Sequence, residues 1–281
     1  MITILSFLII LIKLVVALTA LTVLLSFTVA WYERANTKPD LIERRFTLRG
    51  VGISIWLLIL ETVCLLVTII LRPFGWINPK ISPKFNGKKT PIILLHGLFQ
   101  NRACLFILEH YLRRAGFNNV YSINTPPWRD IETLTESLVK KVDELRLAFK
   151  VDKVILVGHS MGGMIGRNYV QNRGGSSRVE HLITLGTPHY GSKLAPFAIS
   201  SMGRSLLPGS DFLKTFNSVN WPRETALTCI YTRYDNIVLP AKNARLDGAE
   251  NIELDGMGHT ALLFHPQSLS RIVDALNRNK S

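Results

Sequence analysis

Cysteine is scarce in this chain: three among 281 residues, Cys64, Cys104 and Cys229, set far apart. That scarcity excludes a disulfide framework and a cysteine metal cluster, and it leaves the redox compartment unread. Acidic residues are few as well, 20 against 33 Lys and Arg, for a formal charge of +13. A surplus of this size favours anionic surfaces in general. No zinc-finger spacing, helix-turn-helix signature or aromatic RNA-binding motif accompanies it, so nucleic acid is not an expected partner. Charge of either sign is nearly missing from two early stretches. Residues 4–30 hold 18 Leu, Ile, Val or Phe residues with Lys13 as the one charge, and residues 50–71 hold 14 with Glu61 alone.

Each run is long enough to cross a hydrocarbon core of about 30 Å. Neither shows a polar face, which argues against a pair of buried core helices. Trp31-Tyr32 and Phe74-x-Trp76 stand where interfacial aromatics belong, and Pro73 is expected to end the second helix. A cleavable signal peptide is not expected, because no basic segment precedes the first run and no small-x-small site closes it. Lys13 and Glu61 are each isolated, which suggests that they pair within the bilayer. Arg34, Lys38, Arg44, Arg45 and Arg49 lie between the runs, against Arg72, Lys80 and Lys84 just after the second. Positive-inside reasoning then puts the connecting loop in the cytoplasm and both termini outside, by a narrow margin. The expected organisation is a membrane anchor over residues 1–80 and a catalytic domain over 81–281. A bacterial inner membrane with the domain on its periplasmic side is the expected setting. The 25 basic and 16 acidic residues of that domain suit a face turned toward anionic headgroups.

The most informative stretch is Val154-Ile155-Leu156-Val157-Gly158-His159-Ser160-Met161-Gly162-Gly163. Four apolar residues read as a buried strand that runs into Gly-x-Ser-x-Gly, with a helix-like stretch after it. Such a turn holds the serine in a strained backbone conformation, its hydroxyl above the sheet and beside a helix N-terminus. The bare pattern arises by chance in roughly one chain in ten of this length. Its strand-to-helix setting is what gives it weight.

A serine hydroxyl is a poor nucleophile at neutral pH and needs a base, which in turn needs a group to orient it. Residues 226–232 read as a strand, and Asp235 sits at its exit. Residues 251–254 read as a short last strand, followed by a glycine-flanked loop that carries His259. Asp255 and Asp247 are rivals for the acid, and His265 for the base. His110 and His181 read as ordinary helix and strand residues, and His189 as a loop-shaping one. Residues 91–95 form a strand ending in His96-Gly97, which places the N–H of Leu98 opposite that of Met161 as an oxyanion hole. His96 reads as a brace for that loop.

These pieces together resemble the α/β-hydrolase superfamily, and within it bacterial lipases and esterases. Leu95-His96-Gly97-Leu98, Gly158-His159-Ser160-Met161-Gly162-Gly163 and Leu185-Gly186-Thr187-Pro188-His189-Tyr190-Gly191-Ser192 carry the resemblance, as does the stretch from Gly203 to Leu213. It covers roughly residues 88–281. It implies the triad Ser160, Asp235 and His259 and an ester-hydrolase activity, without fixing the acyl chain.

Strands are expected near 91–95, 118–123, 153–157, 180–185, 226–232 and 250–254, with helices near 102–115, 131–149, 161–172 and 266–278. Alternation of that kind implies an α/β fold with a mostly parallel sheet covered on both faces. Residues 191–222 break it with an apolar but Gly- and Ser-rich segment, read as a cap over the active site. The expected protein is a membrane-anchored serine esterase or lipase acting on a lipid or small ester. It would work through an acyl-enzyme with no metal or organic cofactor. Acyl transfer or phospholipase action with the same triad is the alternative, and a non-catalytic membrane scaffold is a third class.

Overall fold

The computed structural model describes residues 3–37, 47–77, 90–126 and 128–278. Six short segments form strands. They are β1 (Ile92–Leu95), β2 (Val120–Ile123), β3 (Val154–His159), β4 (Val179–Leu185), β5 (Ala226–Thr232) and β6 (Glu250–Leu254). They lie in the order β2-β1-β3-β4-β5-β6, and each neighbouring pair is parallel. β1 is aliphatic throughout and β3 over most of its length, whereas β6 is polar at three of five positions. All six fall within a few residues of the expected spans. Eight α-helices accompany them among the described residues. They are α1 (Ile4–Thr37), α2 (Leu48–Leu71), α3 (Phe106–Arg114), α4 (Ile131–Phe149), α5 (Met161–Asn172), α6 (Ser201–Ser205), α7 (Asp211–Ser218) and α8 (Pro266–Arg278).

Successive strand residues point to opposite faces, and that alternation divides the core in two. Ile93, Leu95, Leu156 and Leu182 meet α4, α5 and the buried side of the 191–222 segment. Ile92, Leu94, Ile155, Val157 and Ile183 meet α3, α8 and the α2 residue Cys64. The cap segment holds α6 and α7 and no strand. Its Met202, Leu206, Leu213 and Phe216 pack into the first core, while Phe197 and Ile199 stay 79% and 73% exposed.

α1 and α2 are both long and apolar enough to cross a membrane. α2, however, is not free-standing. Leu57, Glu61, Cys64 and Thr68 form one buried stripe along it, at the spacing of a single helix face. That stripe lies on the globular part. Trp56 donates its indole N–H to the Gly256 carbonyl at 2.9 Å, and the turn after α2 is tied by Asn101 Nδ2 to the Arg72 carbonyl at 2.8 Å. α1 packs on α2 and reaches the domain near its end, where Glu33 meets Lys193 Nζ at 2.6 Å.

Three expectations change. Lys13 is exposed, whereas Glu61 is buried against the backbone of Thr260 and Ala261, so the two do not pair. A buried carboxylate takes the nearest N–H donors, and two lie in reach. α1 extends to Thr37 rather than stopping near residue 30, because Ala30 and Glu33 are themselves packed. The helix expected from residue 102 begins as a 3-10 turn, Arg102–Leu105, whose first N–H groups are capped by Asn101. α2 does end ahead of Pro73. Lys38, Arg44, Arg45, Lys80 and Lys84, on which the expected orientation rests, lie outside the described residues.

Candidate active site

Parallel strands deliver their C-terminal ends to one edge of a sheet, and ligand sites gather there. Register aligns Leu95 with Gly158 and His159 with Leu185, so the loops after β1, β3 and β4 open side by side. The loops after β5 and β6 open at the same edge and carry Asp235 and His259.

Ser160 connects β3 to α5 with φ +54° and ψ −120°, a positive φ that a side chain tolerates only when its surroundings enforce it. Those surroundings are Gly158 and Gly162. A Cβ at Gly158 would fall 2.5 Å from the Gly162 carbonyl carbon, and one at Gly162 would strike the backbone of Leu95. The turn therefore closes only with glycine at both positions. Ser160 is partly exposed, with its own N–H fixed to the Leu185 carbonyl at 2.8 Å.

His259 and Asp235 are brought together. Nδ1 of His259 and Oδ2 of Asp235 are 2.9 Å apart, and both side chains are buried. Oδ1 of Asp235 accepts the N–H groups of Ile237 at 2.9 Å and Val238 at 2.7 Å. The carboxylate is thereby locked, and so is the imidazole proton it holds: Nδ1 donates to Asp235, which leaves Nε2 as the free acceptor. Burial opposes a charge on His259, but the Asp235 carboxylate, its hydrogen bond and the Glu61 carboxylate outweigh it and raise the pKa above the ordinary 6.5.

His159, next to the serine, stacks at 4.7 Å between ring centroids with His259, and its Nε2 donates to the His259 carbonyl at 3.2 Å. Burial, reinforced by the His259 charge, holds His159 well below 6.5, so it stays neutral. The Ser160 turn and the His259 loop are thus in contact through His159. Sequence reasoning missed this residue. Its signal is its position, the x that precedes the serine in Gly-x-Ser-x-Gly.

The loop after β1 lies against the serine, since a Cβ at Gly97 would sit 3.1 Å from the Ser160 Cβ. His96 fastens that loop, with Nδ1 donating to the Gly97 carbonyl at 2.8 Å and Nε2 accepting the Thr125 N–H at 2.9 Å. Burial lowers its pKa to about 4, which keeps it in this neutral tautomer. Leu98 follows directly and touches the cap, where a Cβ at Gly203 would be 3.3 Å from its Cδ2. Met161 opens α5 and is buried.

The rival residues lie elsewhere. His265 precedes α8, its Nδ1 accepting the Gln267 N–H at 3.3 Å. Asp255 is exposed and faces Arg233 at 3.5 Å, and Asp247 faces Tyr190. His110 is exposed on α3, His181 bonds Thr228 across the sheet at 2.9 Å, and His189 is buried beside Thr184. A cavity of about 650 Å³ opens between α1, α2 and the Arg233–Asp235 turn, but neither Ser160 nor His259 lines it. Among the described residues no cluster of His, Cys, Asp or Glu suits a metal ion.

The family model described as alpha/beta hydrolase fold matches residues 90–206. A lipase of Bacillus licheniformis in mature form superposes with a TM-score of 0.60 at 24% identity, over 71% of this chain and 96% of its own. Aspergillus fumigatus lipase B superposes with a TM-score of 0.59 at 17% identity, over 72% of this chain and 55% of its own. In sequence the chain is similar to a Rattus norvegicus protein named 1-acylglycerol-3-phosphate O-acyltransferase ABHD5, 32% identical over 106 residues. That match spans 34% of this chain and 29% of the relative. The protein has the α/β-hydrolase fold, and its likeness is to lipases and esterases that share it.

Proposed function

We propose that the protein is a serine hydrolase of carboxylic esters, probing lipid substrates from the membrane surface. Ser160 attacks the ester carbonyl while Nε2 of His259 takes its proton. Asp235 keeps the imidazole in the tautomer that leaves Nε2 free and stabilises the imidazolium that forms. The negative charge on the former carbonyl oxygen is held by the N–H groups of Leu98 and Met161. His259 then returns its proton to the departing alcohol, an acyl-enzyme remains on Ser160, and water activated by His259 releases the acid. One observation carries the reading. A serine strained to φ +54° follows β3 at the same sheet edge that carries, on the loops after β5 and β6, a histidine whose Nδ1 is locked to a buried aspartate at 2.9 Å.

The lipidic side of the proposal rests on exposed apolar surface. Ile55, Ile59, Val63 and Ile70 of α2 and most of the first half of α1 face outward, as do Phe197 and Ile199 of the cap. In this account 1–80 is the membrane-attaching part, 81–281 the catalytic domain, and 191–222 the cap that meets the acyl chain. The basic connection between α1 and α2 favours the cytoplasmic side of a bacterial inner membrane for that loop.

Acyl transfer to an alcohol is the second reading, favoured by the acyltransferase name of the mammalian relative. An acyl-enzyme serves both outcomes, and competing alcohol acceptors in the assay separate them. The direct test is reaction of the detergent-solubilised protein with a fluorophosphonate, read by mass spectrometry of the labelled peptide. Covalent modification at Ser160, absent from Ser160→Ala, is the expected result. A wild-type protein that takes no label while remaining folded would contradict the proposal.

A further inference from the structure

Beyond Arg49 in its first turn, α2 carries its one charge at Glu61, in the middle of an otherwise apolar stretch, and that side chain is only 1% exposed. Its two oxygens face the loop that bears the base. Oε1 accepts the Thr260 N–H at 2.5 Å and Oε2 accepts the Ala261 N–H at 3.1 Å, contacts that join positions about 200 residues apart in sequence. Thr260 and Ala261 open the 3-10 turn Thr260–Leu263, whose first N–H groups have no partner inside the turn. The N–H of His259 itself is taken by Asn236 Oδ1 at 3.0 Å, and Asn236 is held in turn by Ser26 of α1 at 2.8 Å. Three consecutive N–H groups from the base onward are therefore satisfied by side chains, two of them by one carboxylate from α2.

The fit leaves no slack. A Cβ at Gly258 would lie 2.5 Å from Glu61 Oε2, so the residue before the base is a glycine because the carboxylate occupies that space. Trp56, five residues earlier on α2, holds the start of the same loop through the Gly256 carbonyl. An anchor would need only apolar surface, and a buried carboxylate weakens an anchor. Its retention makes sense if it acts on the loop.

We infer that Glu61 is a positioning residue for His259, and hence that α2 is part of the catalytic apparatus rather than a tether alone. The inference rests on the proposed role of His259. Glu61 fixes the backbone from which the imidazole projects, at a site where an error of about 1 Å can cost on the order of 100-fold in rate. It also adds a second carboxylate to the field at the imidazole. The groups that face His259 are Asp235 from the loop after β5, Glu61 from α2 and the neutral His159 at the end of β3. Each of the two carboxylates favours the protonated base, against burial.

The test compares wild type with Glu61→Gln and Glu61→Asp in the full-length, detergent-solubilised protein. It measures kcat, KM and the acid limb of kcat/KM on a soluble p-nitrophenyl ester. Glutamine can accept only one of the two N–H groups and carries no charge. Its expected effect is a fall in kcat of about 10- to 100-fold with KM little changed, and an acid-limb midpoint moved to lower pH. Glu61→Asp, which keeps the charge, should restore much of the midpoint. A structural role alone would reduce the yield of folded protein without moving that midpoint, because the midpoint is read only on molecules that turn over. Glu33→Gln, which removes the α1 tie to Lys193, serves as the control and should leave both readouts unchanged. An unchanged kcat and midpoint in Glu61→Gln overturn the inference. Because wild type and Ser160→Ala are assayed in parallel, loss of the hydrolase reading itself would show separately, as an inactive wild type.

Discussion

Asp235 divides its two oxygens between tasks: one locks the turn through Ile237 and Val238, the other holds His259. Asp235→Asn keeps the shape but offers an amide in place of one acceptor, which favours the imidazole tautomer with its proton on Nε2. The expected loss in kcat is about 10^4-fold, with the far-ultraviolet circular dichroism unchanged. Because the net effect of its surroundings raises His259 above 6.5, the acid limb of kcat/KM should have its midpoint above 6.5. A pH profile whose midpoint fell below that value would speak against His259 as the base. At this scale the placement of the candidate residues was legible in the sequence. Ser160, Asp235 and His259 each sit just past a strand, where a short apolar run followed by glycine or a polar turn makes them visible. The contacts that Glu61 and His159 make around His259 were not visible, because their partners are distant in sequence or backbone atoms that carry no sequence signal.

Each apolar helix was visible by composition, but its docking was not. Mean hydropathy averages over the circumference and hides the stripe Leu57, Glu61, Cys64 and Thr68, which is marked by polar or small residues at every one or two turns. The companion stripe on α1 runs through Thr19, Val23, Ala30 and Glu33 in the same manner. Polar atoms recurring at three- and four-residue spacing inside an apolar run are the clue that such a helix packs on protein. β1 and β3 were legible because each holds a continuous apolar run, and β6 by its place after β5 rather than by composition, whereas α6 and α7 are too short for a periodic pattern to emerge. The cap itself gives a prediction. Phe197 and Ile199 protrude from it, so replacing both with serine should slow hydrolysis of long-chain esters presented in vesicles by about tenfold, from the apolar contact removed. Hydrolysis of p-nitrophenyl acetate should be unaffected, and equal losses on both substrates would remove the cap from the acyl-chain account.

Across the whole molecule, buried histidines set the response to acid. His96 and His181 are lowered by burial to about 4, and His159 and His189 lie well below 6.5 for the same reason. Below pH 6.5 the unfolded chain binds these protons first, so stability falls as pH drops toward 4, by up to about 1.4 kcal/mol per pH unit for each histidine. His259 has the opposite sign. Its raised value stabilises the folded state below 6.5, and that contribution is lost as pH rises through its folded value. The four outnumber the one, so denaturant midpoints should decrease steadily from pH 7 to pH 4. A midpoint flat over that interval would contradict the buried, neutral placement of these rings.

The central claim is that this α/β-hydrolase fold carries a working serine centre at Ser160. The measurement that tests it most directly is hydrolysis of p-nitrophenyl esters from acetate to palmitate by the full-length protein in detergent, beside Ser160→Ala. The account predicts turnover that the substitution reduces by at least about 10^4-fold, with an optimum among the longer acyl chains. Equal rates in the two proteins, or a folded wild type that hydrolyses none of the series, would contradict it.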